Sequence, residues 1–319
     1  MKTRVLVTGS AGFIGYHLSK RLCELEIFDV YGIDNFIRNN PDSLYSELIR
    51  NNQFTHLNLD LLEASSFENL PKFDFVFHLA ALNGTNNFYE RPLDVIKAGI
   101  IPTLNLLDFL AINPPKKLIY AGTSESYAGA VEIFDYKVPT PEDVPLVIGD
   151  VKNPRWSYAA SKSLGEVSVA ASASRNNFNY NILRFHNVYG PRMGNSHVIP
   201  QIAARALARD FRIYGGKNRR SFIYIDDAIA ALLTIMLNEV LLDEIVNVGT
   251  EEIVSIGDLT KIIYNYAGLV GESIDLGAPD GSVMSRCPDT SKLKSIGFRP
   301  KVGLQRGIEL TISYYRNLI

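Results

Sequence analysis

The chain has 319 residues, 46% of them apolar and 21% charged, an ordinary globular composition with enough length for one large core or two lobes that share one. Its 32 basic and 34 acidic residues leave a formal charge of −2 with no long block of one sign, which gives neither nucleic acid nor an anionic membrane as a partner. The two cysteines, Cys23 and Cys287, lie far apart and outside any metal-ligand spacing, so a disulfide framework and a zinc site are excluded. The first residues carry too short an apolar stretch for a signal peptide, and no uninterrupted apolar run approaches a bilayer's thickness, so the cytoplasm is the expected compartment.

Short β-branched or aromatic runs alternate with longer helical patterns through the first half, which predicts a parallel sheet with helices on both faces. Strands are expected at 4–7, 30–33, 54–58, 75–78, 118–121 and 181–184, and crossover helices at 12–25, 64–70, 93–110 and 156–173. The first strand runs into Gly9-Ser-Ala-Gly12-Phe13-Ile14-Gly15, and the apolar stripe Phe13, Ile14, Leu18, Leu22 and Leu25 follows. That setting makes a glycine run a dinucleotide site: the backbone turns tightly, and a diphosphate meets free amides and the positive end of the helix. The second strand ends on Asp34, about the distance past the glycines at which a carboxylate accepts hydrogen bonds from an adenosine ribose. This favours NAD, since a 2′-phosphate would be repelled, although Arg38 stands close by. Asp60, after the third strand, can meet an adenine amino group or form a turn.

Tyr158 and Lys162 lie four apart on the predicted fourth helix, hence on one face. A free tyrosine with a pKa of ~10 is a poor base at neutral pH unless a cation stabilises its phenolate. A neighbouring ammonium supplies that cation and can also reach a cofactor ribose. The pair can then take the proton of an alcohol while hydride leaves its carbon for a nicotinamide. After Arg184 the character changes to loops rich in Gly, Pro, Arg and Asn between shorter helices. The expected arrangement is a first lobe over 1–184, re-entered at about 222–247, and a smaller lobe from 185–221 and 248–319.

These motifs resemble the extended short-chain dehydrogenase/reductases, the family of nucleotide-sugar epimerases, 4,6-dehydratases and decarboxylases. The resemblance covers nearly the whole chain. It is carried by Thr8-Gly-Ser-Ala-Gly-Phe-Ile-Gly15, Asp34, His78-Leu-Ala-Ala81, Gly122-Thr-Ser-Glu-Ser-Tyr127, Tyr158 to Lys162, Arg184-Phe-His-Asn-Val-Tyr-Gly-Pro191 and Arg220-Ser-Phe-Ile-Tyr-Ile-Asp226. It implies a Rossmann doubly wound α/β fold with a smaller α/β substrate-binding lobe, and NAD held by Gly9, Gly12, Phe13, Ile14, Gly15, Asp34, Asn35, Asp60, Leu61, Leu79, Ala80, Ala81, Tyr158 and Lys162. It also implies Thr123 as the anchor of a sugar hydroxyl and Glu125 as a second acid or base beside a carbon-4 ketone. Arg220 and Arg286 fall where the family binds a diphosphate, Asn187 adds an amide, Val198 and Tyr214 belong to segments that pack around the base, and Asn83 and Thr85 border the sugar together with Arg155-Trp156.

Thr-Ser-Glu at 123–125 is the pattern of uridine-diphosphate-glucuronate decarboxylases and guanosine-diphosphate-mannose dehydratases, whereas dehydratases of the deoxythymidine-diphosphate-glucose type carry Thr-Asp-Glu. Gly99 departs from the family, which often places an asparagine there. The implied function is an NAD-dependent nucleotide-sugar epimerase or dehydratase working through a carbon-4 ketone, with decarboxylation or release of the ketone as alternatives. A nucleotide-binding sensor without chemistry is the reading of another class. The helices at 93–110 and 156–173 carry more apolar residues than one sheet face needs, and in this family the equivalent pair forms a dimer interface, so a homodimer is expected.

Overall fold

The computed structural model describes residues 2–37, 40–194, 197–278 and 283–316. Arg38 and the side chain of Thr85 lie outside that description. Seven parallel strands form the central sheet: β1 (Thr3–Thr8), β2 (Phe28–Ile33), β3 (Phe54–Leu57), β4 (Phe75–His78), β5 (Lys117–Thr123), β6 (Asn179–Phe185) and β7 (Glu244–Val248). Their spatial order is β7-β6-β5-β4-β1-β2-β3, so the winding reverses between β1 and β4. Ligands of such sheets bind outside the carboxyl ends of the strands at this reversal. Val5, Leu6 and Val7 are fully buried, as a strand covered on both faces requires.

Three helices position the site: α1 (Phe13–Glu24), α2 (Pro92–Ile112) and α3 (Trp156–Asn176). On α1, Leu18, Leu22 and Cys23 face the core, while Lys20 and Arg21 face solvent. Added to Gly15, a Cβ atom would lie 2.1 Å from the Gly9 carbonyl oxygen, and Gly9 itself has φ 71°. The turn from β1 into α1 therefore admits no side chain at either place. Where α2 crosses α3, a Cβ at Gly99 would come within 2.5 Å of the Ser161 hydroxyl. A larger residue at position 99 would therefore need Ser161 to move.

By length and composition α2 could cross a membrane, with a mean hydropathy of 1.7. Here Val95, Leu106, Leu107 and Leu110 are buried in the fold, and Lys97 and Asp108 break the apolar run.

The remaining chain supplies α4 (Val198–Leu207), α5 (Ile225–Leu237), α6 (Ile256–Ala267), α7 (Leu304–Arg316) and small sheets. In one of these, Arg219–Ser221 lies between Ile253–Ser255 and Ser285–Arg286. The six predicted strands and the helices at 12–25, 93–110 and 156–173 are present, each within three residues of its expected ends. The short helix expected at 64–70 is a 3-10 turn, Ala64–Phe67. Strand β7 and the helices Ser43–Ile49, Thr85–Glu90 and Ala128–Phe134 carry no clear periodicity and were not predicted.

Candidate active site

The carboxyl ends of β1, β2, β4, β5 and β6 open into one cavity of about 1490 Å³. The residues assigned to the site from sequence line it, except Trp156, which faces away from it, and Thr85, whose side chain lies outside the description. At one end, α1 begins at Gly12 with no side-chain cap and no acidic residue in its first turn. Such a terminus carries unpaired amides and a partial positive charge, which suits a diphosphate. Asp34 accepts backbone N–H groups from Ala11 at 3.0 Å and Phe36 at 2.9 Å. Each oxygen keeps a further lone pair for a ribose hydroxyl. The oxygens of Asn35 and Asp60 take the N–H groups of Ile37 (3.1 Å) and Leu62 (2.9 Å), so Asp60 is a turn former that also faces the cavity. The donor set fits a dinucleotide.

Midway along the cavity stand Tyr158 and Lys162, both buried on α3 and one turn apart. Phe88 stacks on the Tyr158 ring at 5.0 Å and 14°, fixing its plane. The Lys162 ammonium lies 4.8 Å from the Tyr120 ring centre, a favourable cation–π contact. Burial lowers its pKa to about 8, partly countered by Glu166. Glu166 is itself held by the buried Arg184 at 2.8 Å. Thr123 accepts the Glu125 N–H at 3.2 Å, which leaves its hydroxyl proton to donate. Behind this layer His78 bridges Thr8 (2.8 Å) and Thr103 (3.0 Å), and burial takes its pKa to about 3, so it is neutral at pH 7.

The far end is arginine-rich. Glu125 is paired with Arg286 at 2.5 Å and Arg155 at 3.4 Å. Burial pushes its carboxyl up, but Arg286 and then Arg155 more than reverse this and hold it below the usual carboxylate range. Arg286 and Arg220 stand directly opposite on adjacent parallel strands. Like charges so placed repel. Burial first, then Arg286 and Arg155, bring the Arg220 pKa down to about 9. Asn187 spends one amide hydrogen on the Ser221 carbonyl at 2.8 Å, Asn83 accepts the Gly84 N–H at 2.7 Å, and Tyr214 packs under Arg205 at 5.0 Å. Val198 opens α4 at the cavity wall.

The site also contains residues that motif reading did not assign. Ser124 lies between Thr123 and Glu125 at the cavity wall, and Phe88 comes from a short helix without a sequence signature. Arg155 was placed beside the sugar by position alone; the ion pair with Glu125 gives it a defined contact.

Residues 5–249 match the model of the NAD dependent epimerase/dehydratase family. The chain belongs to this family. It is an NAD-dependent nucleotide-sugar enzyme of the extended short-chain dehydrogenase/reductase group. It is 33% identical to UDP-N-acetyl-alpha-D-glucosaminuronate decarboxylase of Bacillus cytotoxicus, covering 100% of this chain and 99% of that one. It is 29% identical to UDP-glucuronic acid decarboxylase 1 of Xenopus tropicalis, over 99% of this chain and 72% of the other. Among solved structures, UDP-glucuronic acid 4-epimerase from Bacillus cereus, in complex with UDP-glucuronic acid and NAD, superposes with a TM-score of 0.87. That match has 26% identity and covers 99% of this chain and 100% of that chain.

Proposed function

We propose that this enzyme oxidises carbon 4 of a nucleoside-diphosphate uronic acid and that the resulting 4-ketone loses carbon dioxide. The observation that carries the reading is the third guanidinium. Arg220 and Arg286 suffice for a diphosphate, yet Arg155 adds a further guanidinium one turn before Tyr158, at the sugar end; it touches Glu125, which Arg286 holds more closely, and keeps Nη1 buried without a hydrogen-bond partner, a donor for the carboxylate of a uronic acid. The relatives named for glucuronic or glucosaminuronic acid support the same substrate class.

Bound NAD supplies the hydride acceptor. Tyr158 takes the C4 hydroxyl proton, Lys162 stabilises the phenolate, and the Thr123 hydroxyl orients the C4 oxygen. The ketone so formed is β to the C6 carboxylate. When the C5–C6 bond breaks, its electron pair passes into the ketone as an enolate and carbon dioxide leaves. Reprotonation at C5, beside Glu125 and Arg286, and return of hydride to C4 complete a pentose. Thr-Ser-Glu at 123–125 does not separate this course from 4,6-dehydration; the uronic acid does, because it carries a carboxylate at C6 and no 6-hydroxyl to eliminate. Retention of C6 with return of hydride to the other face would instead make a 4-epimerase, the second reading, which the Bacillus cereus neighbour supports.

Uridine-diphosphate uronic acids labelled with carbon-13 at C6 decide the matter by NMR. Labelled bicarbonate and a nucleotide pentose are expected; an epimerised uronic acid with its label intact would replace decarboxylation by epimerisation.

The cofactor lobe in this reading is 1–184 with 222–247, and 185–221 with 248–319 holds the nucleotide sugar. Exposed Leu93 and Leu104 on α2 with Leu164 and Val167 on α3 form the apolar face of a proposed homodimer. Sedimentation that gives a monomer mass at all concentrations would contradict it. The free, buried cysteines fit the reducing cytoplasm.

A further inference from the structure

Residues 191–193 are tied down beside the glycine loop by side chains from three separate elements. His17 of α1 hydrogen-bonds the Pro191 carbonyl through Nε2 at 3.0 Å. Tyr315 of α7 donates to the Met193 carbonyl. Between them Arg192 adopts φ 65°, a left-handed backbone that non-glycine residues take only at a cost. Its Nε donates to Asp42 at 2.6 Å, its Nη2 reaches the Ala11 carbonyl at 3.4 Å, and its guanidinium lies 4.1 Å from the Tyr16 ring centre. Asp42 is itself immobilised, because it caps the helix Ser43–Ile49 and accepts the Tyr45 N–H at 2.8 Å.

A tie between two loops would explain the Asp42 contact alone. It does not explain the rest. The Arg192 side chain is only 9% exposed, lines the cavity, and leaves Nη1 buried without a hydrogen-bond partner. An unspent donor on a buried cation is costly unless something negative meets it. Its neighbour Ala11 belongs to the turn that ends at the uncapped terminus of α1, the place fitted for a diphosphate.

We infer that Arg192 is a cofactor-binding residue whose guanidinium, steadied by Asp42, joins the backbone amides of α1 in holding the dinucleotide diphosphate, so that the 191–193 loop retains bound NAD. The inference rests on NAD as the cofactor, which titration of the unmodified enzyme tests separately.

The test compares wild type, Arg192→Gln, Arg192→Lys and Asp42→Asn after removal of bound cofactor. Affinity for NAD, ADP-ribose and adenosine is measured by calorimetry, and NAD release by chase into a trapping dehydrogenase. Arg192→Gln should weaken NAD and ADP-ribose about 10- to 100-fold and speed NAD release, with adenosine affinity unchanged. Arg192→Lys should recover part of the loss, and Asp42→Asn should release NAD faster than wild type. NAD affinity within about twofold of wild type in both Arg192 variants would overturn the inference. So would an equal loss for adenosine, which lacks a diphosphate and would report a merely structural role.

Discussion

The two ends of the cavity meet negative charge by different means. At the cofactor end the protein offers mainly backbone, an uncapped helix terminus and a turn closed to side chains at Gly9 and Gly15, which the Arg192 guanidinium is proposed to join, while Asp34, fixed by two N–H groups, is left for a ribose hydroxyl. At the sugar end it offers side chains, Arg155, Arg220 and Arg286, gathered around Glu125. Backbone donors cost nothing to keep in place, because the fold already holds them. Three guanidiniums around one carboxylate repel one another until an anionic ligand arrives, and this repulsion adds to burial in lowering the pKa of Arg220. The cofactor end is therefore built to stay loaded and the sugar end to gain most from its ligand.

That contrast can be broken from either side. The largest effect is expected where the ends meet: Tyr158→Phe should lower kcat by about 10²- to 10⁴-fold while NAD remains bound, measured by turnover and cofactor content. At the sugar end, Arg286→Ala strips Glu125 of its nearest partner and the diphosphate of a cation. A loss of about 10²-fold in kcat/KM is expected, with NAD affinity unchanged by calorimetry. A parallel loss of NAD would show that the ends are not separate.

Gly15→Ala should act oppositely. Its Cβ meets the Gly9 carbonyl, so NAD affinity should fall about tenfold or more and thermal stability with it, the turn being unable to relax without moving α1. Arg155→Leu should reduce the preference for a uronic acid over the corresponding neutral hexose by about tenfold in kcat/KM, with little change for the hexose. The smallest effect is in pH dependence. Lys162, with its pKa lowered from the ordinary lysine value to about 8, must stay protonated to support the phenolate, so kcat/KM should decline above about pH 8. Burial disfavours the ammonium, so stability should rise, not fall, between about pH 8 and the unfolded lysine value, as the group ceases to be buried charged.

The same contrast explains what could be read from the sequence. A site made of backbone comes from contiguous residues, so the run from Gly9 to Gly15 is legible once the strand before it and the helix after it are recognised, and Asp34 and the Tyr158–Lys162 pair gain their meaning from their places after it. The parallel sheet with helices on both faces followed from the alternation of strands and helices. A site made of side chains depends on tertiary register. Nothing local says that Arg220 and Arg286 face each other across two strands, that Arg155 shares Glu125 with Arg286, or that Phe88 stacks on Tyr158. Strand β7 shows no strand signal in the sequence because Asn247, buried next to its last residue, breaks the apolar run. Its side-chain N–H groups are satisfied by the Thr140 and Asp289 carbonyls, far away in sequence. Gly99 departs from the family pattern in sequence, and only the structure shows that a larger residue there would meet Ser161.

The central claim is that Tyr158 and Lys162 drive oxidation at carbon 4 ahead of any change at carbon 6. Rapid mixing of the NAD-loaded enzyme with a nucleoside-diphosphate uronic acid, bearing hydrogen or deuterium at C4, tests it most directly. A transient rise in reduced-cofactor absorbance is predicted before carbon dioxide appears, slowed by deuterium and absent in Tyr158→Phe. Carbon dioxide released at full rate, with no reduced cofactor and no isotope effect from C4, would contradict the account.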